Sequence, residues 1–498
     1  MSPKSLSPLL EDLKREIEGY ARSFGLDFFE TIFEVLSYDE LNMVAAYGGF
    51  PNRYPHWRWG MDYERLAKGY EYGLSKIYEL VINNDPCYAY LLESNADVDQ
   101  KLVMAHVYGH SDFFKNNFSF AHTNRRMLDE MANHATRIRR WIDKVGLEKV
   151  EEFIDRALSL ENLVDYHAPY IRRNPDPKKA EEEAKLNEGV EGFKVDREYM
   201  RGFVNPKEFI EGQRKKVEDE KLKAKRFPER AQRDVLLFLL DHAPLEPWEF
   251  EILTILRDEA YYFAPQGQTK IINEGWAAYW HSTIMTRRAL KDDEIIDYAD
   301  HHSGALGTRP GALNPYKLGI ELFRDIEDRW NKGRFGKEWE ECDDLRARRA
   351  WDKKLNQGQE KIFEVRKHYN DVTFIDTFLT PEFAIDQKLF VYGFNDKRNS
   401  WEILDREFHK VKDKLLLQLT NFGQPIIEVM DGNHENRSEL LLAHKHDGQD
   451  LKSDYARETL KNLQSLWRRP TNLITRFEGK GVILRYDGQN HSEKKVDL

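Results

Sequence analysis

Cysteine is scarce in this chain of 498 residues, which contains only Cys87 and Cys342. Two cysteines cannot supply a disulfide framework or a thiolate zinc cluster. The sequence also lacks any apolar run that approaches the roughly 20 residues of a membrane-spanning helix. We therefore expect a cytoplasmic protein without a membrane span.

An excess of basic residues is missing as well. The chain has 76 Lys and Arg residues against 87 Asp and Glu residues, and its formal net charge is −11 at pH 7. Because nucleic-acid-binding proteins carry a basic excess, this balance argues against a nucleic-acid partner. We expect protein partners instead, and the composition leaves the oligomeric state open.

Helical periodicity dominates the chain up to about residue 367, with well-defined patterns at residues 97–117 and 315–332. We interpret residues 8–46 as two helices, and residues 87–92 as a short strand or a buried helical turn. The end of the chain alternates with the period of strands, around one amphipathic helix. The predicted fold is a mainly α-helical body with a small C-terminal α+β domain. It divides into a first helical part (1–171), a charged insertion or linker (172–230), a second helical part (231–420) and the terminal domain (421–498).

Two short segments carry the residues of a candidate metal site. His106 and His110 are four residues apart, so on a helix both imidazoles can reach one metal ion. Glu274 and His281 are seven residues apart and again share a helical face, on which Ala277 and Ala278 leave space. Pairs of buried residues that serve only the core would give the same pattern, and that alternative stays open.

Other pairs of acids and imidazoles lie on neighbouring helical patterns. Glu130 and His134 are four residues apart, and Glu251 and Asp258 are seven apart. Taken singly, each pair suits an ion pair or a solvated face. Taken together, they fit a dinuclear carboxylate site in a helical bundle, which is a further alternative. The adjacent His301 and His302 lie near loop signals, so we expect surface or capping residues there.

A loop rich in glycine, proline and aromatic residues precedes these helices. Arg53, His56, Trp57 and Arg58 combine guanidinium groups, an imidazole and an indole ring, which can hold an anionic or polymeric ligand by stacking and forked hydrogen bonds. We therefore predict a substrate-binding role for these four residues. Packing of a long connection onto the body is the equally weighted alternative.

Several long motifs resemble the SpoVR-like family, which is named after stage V sporulation protein R. They are residues 49–57 (GFPNRYPHW), 78–84 (YELVINN), 105–117 (AHVYGHSDFFKNN), 272–277 (INEGWA), 314–319 (NPYKLG) and 466–470 (LWRRP). The resemblance implies a role in sporulation, in the formation of the spore cortex. Because the family also occurs in bacteria that never sporulate, it equally implies a role in the stress response.

A second resemblance concerns the metal-binding segments alone. His-x-x-Gly-His followed by Asn-Glu-Gly is similar to the zinc-binding pieces of gluzincin aminopeptidases, which implies a zincin-like core and zinc, or another divalent transition metal, as cofactor. Carried over, it makes His106, His110 and Glu274 the ligands, and we add His281 as a fourth. The glutamate that serves those peptidases as general base is replaced here by Val107.

Two functions follow from these patterns. The first is a metal-binding, hydrolase-like protein, a zinc-dependent peptidase or amidase that acts on an amide bond of a peptide or cell-wall precursor. In that case Glu259, His281 or Glu130 has to replace the missing base as the catalytic residue. The second is a non-catalytic adaptor with a structural metal or a polar core, which Val107 favours.

Overall fold

The computed structural model describes residues 5–71, 80–171, 212, 227–308, 312–395 and 398–497. The chain forms two compact units, each built from two separate stretches of sequence. The first unit comprises Met1–Glu151 and Tyr262–Gly423, and the second comprises Glu152–Tyr261 and Gln424–Leu498. The predicted insertion at 172–230 lies outside the described residues, apart from Gly212 and residues 227–230.

Helices account for most of the described residues. In chain order they are α1 (Pro8–Ser23), α2 (Tyr38–Ala46), α3 (Trp57–Glu71), α4 (Asp97–Asn116), α5 (Met127–Val145), α6 (Leu147–Leu158), α7 (Val235–His242), α8 (Pro247–Gln268), α9 (Lys270–Ile284), α10 (Ile295–Ala305), α11 (Pro315–Lys332), α12 (Lys337–Glu340), α13 (Leu345–Arg349), α14 (Gly358–His368), α15 (Asp371–Phe378), α16 (Pro381–Asp386), α17 (Phe408–Leu419) and α18 (Ser453–Trp467). The strands are β1 (Thr31–Leu36), β2 (Leu80–Ile82), β3 (Cys87–Leu92), β4 (Val391–Asn395), β5 (Ser400–Asp405), β6 (Ile427–His434), β7 (Glu439–His444), β8 (Thr471–Phe477), β9 (Lys480–Tyr486) and β10 (His491–Val496). None of the helices in the described ranges combines the length and the apolar composition that crossing a membrane requires.

A three-stranded sheet lies inside the first unit, in the order β1-β3-β2. Strands β1 and β3 are parallel, with Thr31 opposite Cys87 and Leu36 opposite Leu92, whereas β2 is antiparallel to β3. The prediction of two helices for residues 8–46 is therefore wrong, because strand β1 separates α1 from α2. Buried and half-buried side chains alternate along most of β1, and this period of two is typical of a strand.

Three helices of the first unit pack closely and carry the candidate site. Helix α9 lies against both α4 and α11, and glycines permit the close approach. A Cβ atom on Gly109 of α4 would lie 2.7 Å from the Cα atom of Ala277. A Cβ atom on Gly275 would lie 2.4 Å from the Cα atom of Gly319 on α11. Backbone therefore meets backbone at both crossings.

The second unit contains a five-stranded sheet in the order β10-β9-β8-β7-β6. Strands β7 and β8 are parallel, and the other neighbours are antiparallel. Helix α18 buries Leu460, Leu463 and Leu466, and packs on β8 and β9. The mainly helical body and the small C-terminal sheet domain are thus confirmed, whereas the zincin-like core stays a prediction.

Candidate metal centre

Helix α4 holds the first two candidate ligands in the interior of the first unit. Nearly all of its residues from Val98 to Phe114 are buried, so His106 and His110 are only 2% and 4% exposed. The two imidazole rings meet edge to face, with their centroids 4.6 Å apart. One helical turn therefore presents both rings to the same small volume.

Helix α9 brings Glu274 to these histidines. Its Oε2 atom lies 3.5 Å from His106 Nε2 and 3.4 Å from His110 Nε2. One ligand atom from each of the three residues lies within 4.8 Å of the others. Among the described residues, this is the one group of three or more His, Cys, Asp or Glu side chains that converges in this way.

The separations suit a tetrahedral metal site. Zinc binds histidine nitrogen and carboxylate oxygen at about 2.0–2.2 Å, so two ligands of a tetrahedral ion lie roughly 3.3–3.6 Å apart. Both distances from Glu274 to the histidines fall in this range. Two imidazoles and one carboxylate are also the donor set of a catalytic zinc site that leaves a fourth position for water or substrate. The residues therefore fit the ion that the resemblance implies.

Hydrogen bonds behind the rings orient both histidines. His110 Nδ1 lies 2.9 Å from Asn273 Oδ1. Because an amide oxygen only accepts, His110 donates from Nδ1, and its Nε2 atom is the one directed at Glu274. Metal-binding histidines are commonly held in this way by a carbonyl or carboxylate acceptor.

His106 is held by a second imidazole. Its Nδ1 atom lies 2.8 Å from His281 Nδ1, and His281 Nε2 lies 3.1 Å from His302 Nδ1. If His106 Nδ1 donates to His281, then His281 Nε2 donates onward to His302, and His106 Nε2 is the atom directed at Glu274. Burial lowers the pKa of His281 well below its usual range, and the neighbouring His106 and His302 lower it further. His281 is therefore neutral at pH 7.

Burial and charge act in opposite directions on Glu274. Burial alone would raise the pKa of its carboxyl group, but the electrostatic influence of the two facing histidines, that of His110 above all, outweighs burial and lowers the pKa below its usual range. The carboxyl group is therefore ionised, as a metal ligand must be.

Two buried carboxylates fix the helices that carry the ligands. Asp112 on α4 accepts a 2.8 Å hydrogen bond from the indole nitrogen of Trp276, which joins α4 to α9 close to the ligands. Asp371 accepts hydrogen bonds from the backbone N–H groups of Ile271 (2.9 Å) and Ile272 (2.8 Å) in the first turn of α9. The contacts of Asp371 satisfy backbone N–H groups that have no partner within the first turn of α9. Together, the two acidic residues fix the position of Glu274 relative to the two histidines.

The remaining predicted catalytic residues lie elsewhere. Glu130 faces His134 on α5, with Oε2 and Nε2 4.0 Å apart. Glu259 is buried in the second unit, in the part of α8 that precedes Tyr262. His281 lies behind His106, with its two ring nitrogens directed at His106 and His302. The roles predicted for these residues, and the ligand role of His281, stay predictions.

The aromatic loop is packed onto the first unit along part of its length. Arg53 is 6% exposed, stacks 4.7 Å from the ring centroid of Trp59 and donates to the sulfur of Met131. His56 is buried as well, whereas Trp57 is 52% exposed. Arg58 is half-buried and lies 3.7 Å from an oxygen of Asp62. Substrate binding by Arg53, His56, Trp57 and Arg58 stays a prediction.

Some residues of the site were missed in the sequence. We expected His302 to be a surface or capping residue, but it belongs to α10 and contacts His281. Asn273 directly precedes Glu274, and this adjacency was a usable signal for the residue that orients His110. Tyr316 packs against His106 with the ring centroids 6.0 Å apart, and helical spacing within α11 does not reveal that contact.

Comparison with known proteins assigns the chain to a family. A family model described as SpoVR like protein matches residues 5–424, and one described as SpoVR-like C-terminal domain matches residues 425–477. The chain belongs to the SpoVR-like family. The family prediction is thus confirmed.

A curated protein from Escherichia coli (strain K12) is similar to this chain over most of its length. This curated relative, described as Uncharacterized protein YcgB, is 29% identical over 498 residues, which covers 92% of this chain and 90% of the relative. No solved structure matches the chain.

Proposed function

We propose that this SpoVR-like protein binds one zinc ion, or another divalent transition metal, through His106, His110 and Glu274. The convergence of their three donor atoms within 4.8 Å is the observation that carries the proposal. When bound there, the ion supplies Lewis acidity toward a carbonyl group of a substrate. Asn273 and His281 hold the two imidazoles with their Nε2 atoms directed at Glu274.

The reaction that we propose is hydrolysis of an amide bond in a peptide or cell-wall precursor. The donor set supports this, as does the family's association with the spore cortex. Val107 is completely buried in the hydrophobic core, so the position next to the first ligand provides no base. Of the three predicted substitutes, His281 is the one that contacts the ligand set, and because its two ring nitrogens face His106 and His302 we assign it the role of positioning His106.

The second function is a metal-binding adaptor that performs no hydrolysis. The burial of Val107 is the specific observation that favours it, because a hydrolase of this type needs a proton acceptor beside its first ligand. In that case the ion stabilises the packing of α4 against α9, and the protein acts through its partners.

A hydrolysis assay separates the two functions. Fluorogenic peptide amides and cell-wall peptide fragments are incubated with the zinc-loaded protein and with the Glu274→Gln and His134→Ala variants. We expect cleavage by the wild type and by His134→Ala, loss of cleavage with Glu274→Gln, and loss with a chelator that added zinc reverses. Zinc-loaded protein that leaves every substrate intact would contradict the hydrolase and favour the adaptor.

A further inference from the structure

A cavity of about 570 Å³ lies within the first unit. Its lining comes from three places, namely the first turn of α11 with the residues before it, the segment from the end of α16 into β4, and one face of α17. Small-molecule sites commonly have volumes of about 300–1,000 Å³, so the cavity is large enough for a metabolite-sized ligand.

About half of the cavity wall is apolar. Leu318 and Val411 are almost fully buried and belong to the hydrophobic interior, whereas Leu389, Phe390 and Leu415 are half-buried along the lining. Such a surface favours the apolar body of a ligand, because each Å² of apolar surface removed from water contributes about 25 cal/mol.

Three lysines add positive charge to this apolar surface. Lys317 lies on α11, Lys388 lies in the connection between α16 and β4, and Lys414 lies on α17. Three separate segments of the chain therefore each contribute one positive charge. None of the three forms an ion pair with another residue in the described part of the chain. Asp386 is the one acidic residue in the lining, which leaves an excess of positive charge.

The end of α11 reinforces this charge. Asn314 caps the helix by accepting a hydrogen bond from the backbone N–H of Lys317 (3.2 Å), and both residues line the cavity. The N-terminus of an α-helix carries a partial positive charge, which favours anions near its first turn. The helix dipole and the three lysine side chains therefore both favour the binding of an anion.

We propose that this cavity binds a small organic anion, with a carboxylate or phosphate head group at the lysines and an apolar body against Leu318, Phe390 and Leu415. The proposal is independent of the metal centre. The same helical turn of α11 carries Tyr316, whose ring packs against His106, so the cavity and the candidate metal centre share one wall element.

Two matched fluorescent probes test the charge. The anion 8-anilino-1-naphthalenesulfonate and the uncharged N-phenyl-1-naphthylamine share one aromatic body and differ in the sulfonate. We expect the full-length protein to bind the anion about tenfold more tightly, and Lys317→Gln or Lys414→Gln to weaken the anion alone by about threefold to tenfold. Lys412→Gln is the control, because Lys412 lies on the same helix but pairs with Asp376 (2.8 Å) outside the lining.

Equal affinity for the two probes would overturn the proposal, as would equal weakening by Lys412→Gln and Lys414→Gln. Competition then separates the possible head groups and tests the apolar body. Displacement of the anionic probe by dodecanoate or dodecyl phosphate, whichever is the tighter, identifies the carboxylate or phosphate class and supports the proposal. Equal displacement by inorganic phosphate at the same concentration would show that the site does not bind an apolar body, and would refute that part of the proposal.

Discussion

Replacing Gly275 by alanine should force two helices apart at the metal centre. The new Cβ atom would lie 2.4 Å from Gly319 Cα and 2.5 Å from Gly319 C, where ordinary contacts are 3.4–4 Å. Both neighbours are backbone atoms, so no side chain can rotate away, and the gap between α9 and α11 must widen by about 1 Å. Overpacking of this kind costs about 1–3 kcal/mol, and a rigid backbone contact belongs at the upper end.

An opposing effect is smaller. Alanine in a helix interior is more favourable than glycine by about 0.5–1 kcal/mol, so the net loss for Gly275→Ala is about 2 kcal/mol. Gly19 provides the control, since it lies on α1 and a Cβ atom there meets nothing within 4 Å. We expect Gly19→Ala to stabilise the protein by up to about 1 kcal/mol, through helix propensity alone.

Urea unfolding of the wild type and both variants measures these effects, and chelator competition measures zinc affinity in parallel. Glu274 is the neighbour of Gly275, so a shift of α9 moves this ligand away from the two histidines. We therefore expect Gly275→Ala to weaken zinc binding at least about tenfold. Gly19→Ala should leave zinc binding unchanged. If both variants gained equal stability, the close helix crossing would be refuted.

Three further predictions concern the residues around the ligands. His281→Phe removes the hydrogen bond to the first histidine ligand, so zinc affinity in chelator competition should fall about 10–100-fold, and unchanged affinity would contradict the orienting role. Burial raises the pKa of Asp371 from 3.8 to about 7. The folded carboxyl group thus keeps its proton where the unfolded one has lost it, and the resulting stability is complete below pH 3.8 and is lost as the pH rises through 7. Between pH 5 and 8 we expect the wild type to lose about 2–3 kcal/mol more unfolding free energy than Asp371→Asn, and equal pH dependence in urea unfolding would be incompatible with this. Trp276→Phe removes the indole donor of the buried Asp112, which keeps the backbone N–H of Asp27 (2.8 Å) and the more distant Arg366 (3.5 Å) as partners. We expect it to cost about 1 kcal/mol more than Trp280→Phe, whose indole N–H has no partner among the described residues, and equal losses would argue against the hydrogen bond.

The sequence predicted the local elements well where several signals agreed. Helix α11 was expected at residues 315–332 and has those bounds, with Asn314 as its cap, Pro315 in its first turn and Gly333 in the left-handed conformation after its end. Strand β1 was missed because its alternation extends over only six residues between two helical patterns. In so short a segment, a period of two is hard to distinguish from the helical periods on either side, so the segment is read as part of a helix.

The candidate site was predictable in part for similar reasons. The spacing of His106 and His110 on one helix places both rings together, whatever the rest of the fold. That Glu274 joins them depends on how α9 crosses α4, and periodicity carries no information on that crossing; the resemblance to zinc peptidases supplied the link. Nothing in the local pattern indicates that α10 brings His302 to His281.

Elemental analysis of the protein, purified without added metal, decides whether the three converging side chains hold an ion. We predict about one equivalent of zinc, or of another divalent transition metal, per chain of the wild type and of His134→Ala, in which a buried histidine outside the cluster is removed. His106→Ala and His110→Ala should retain less than about a tenth of that amount, because each loses a ligand. Wild-type protein that is folded and free of metal, and that takes up none from added zinc, would contradict the metal centre.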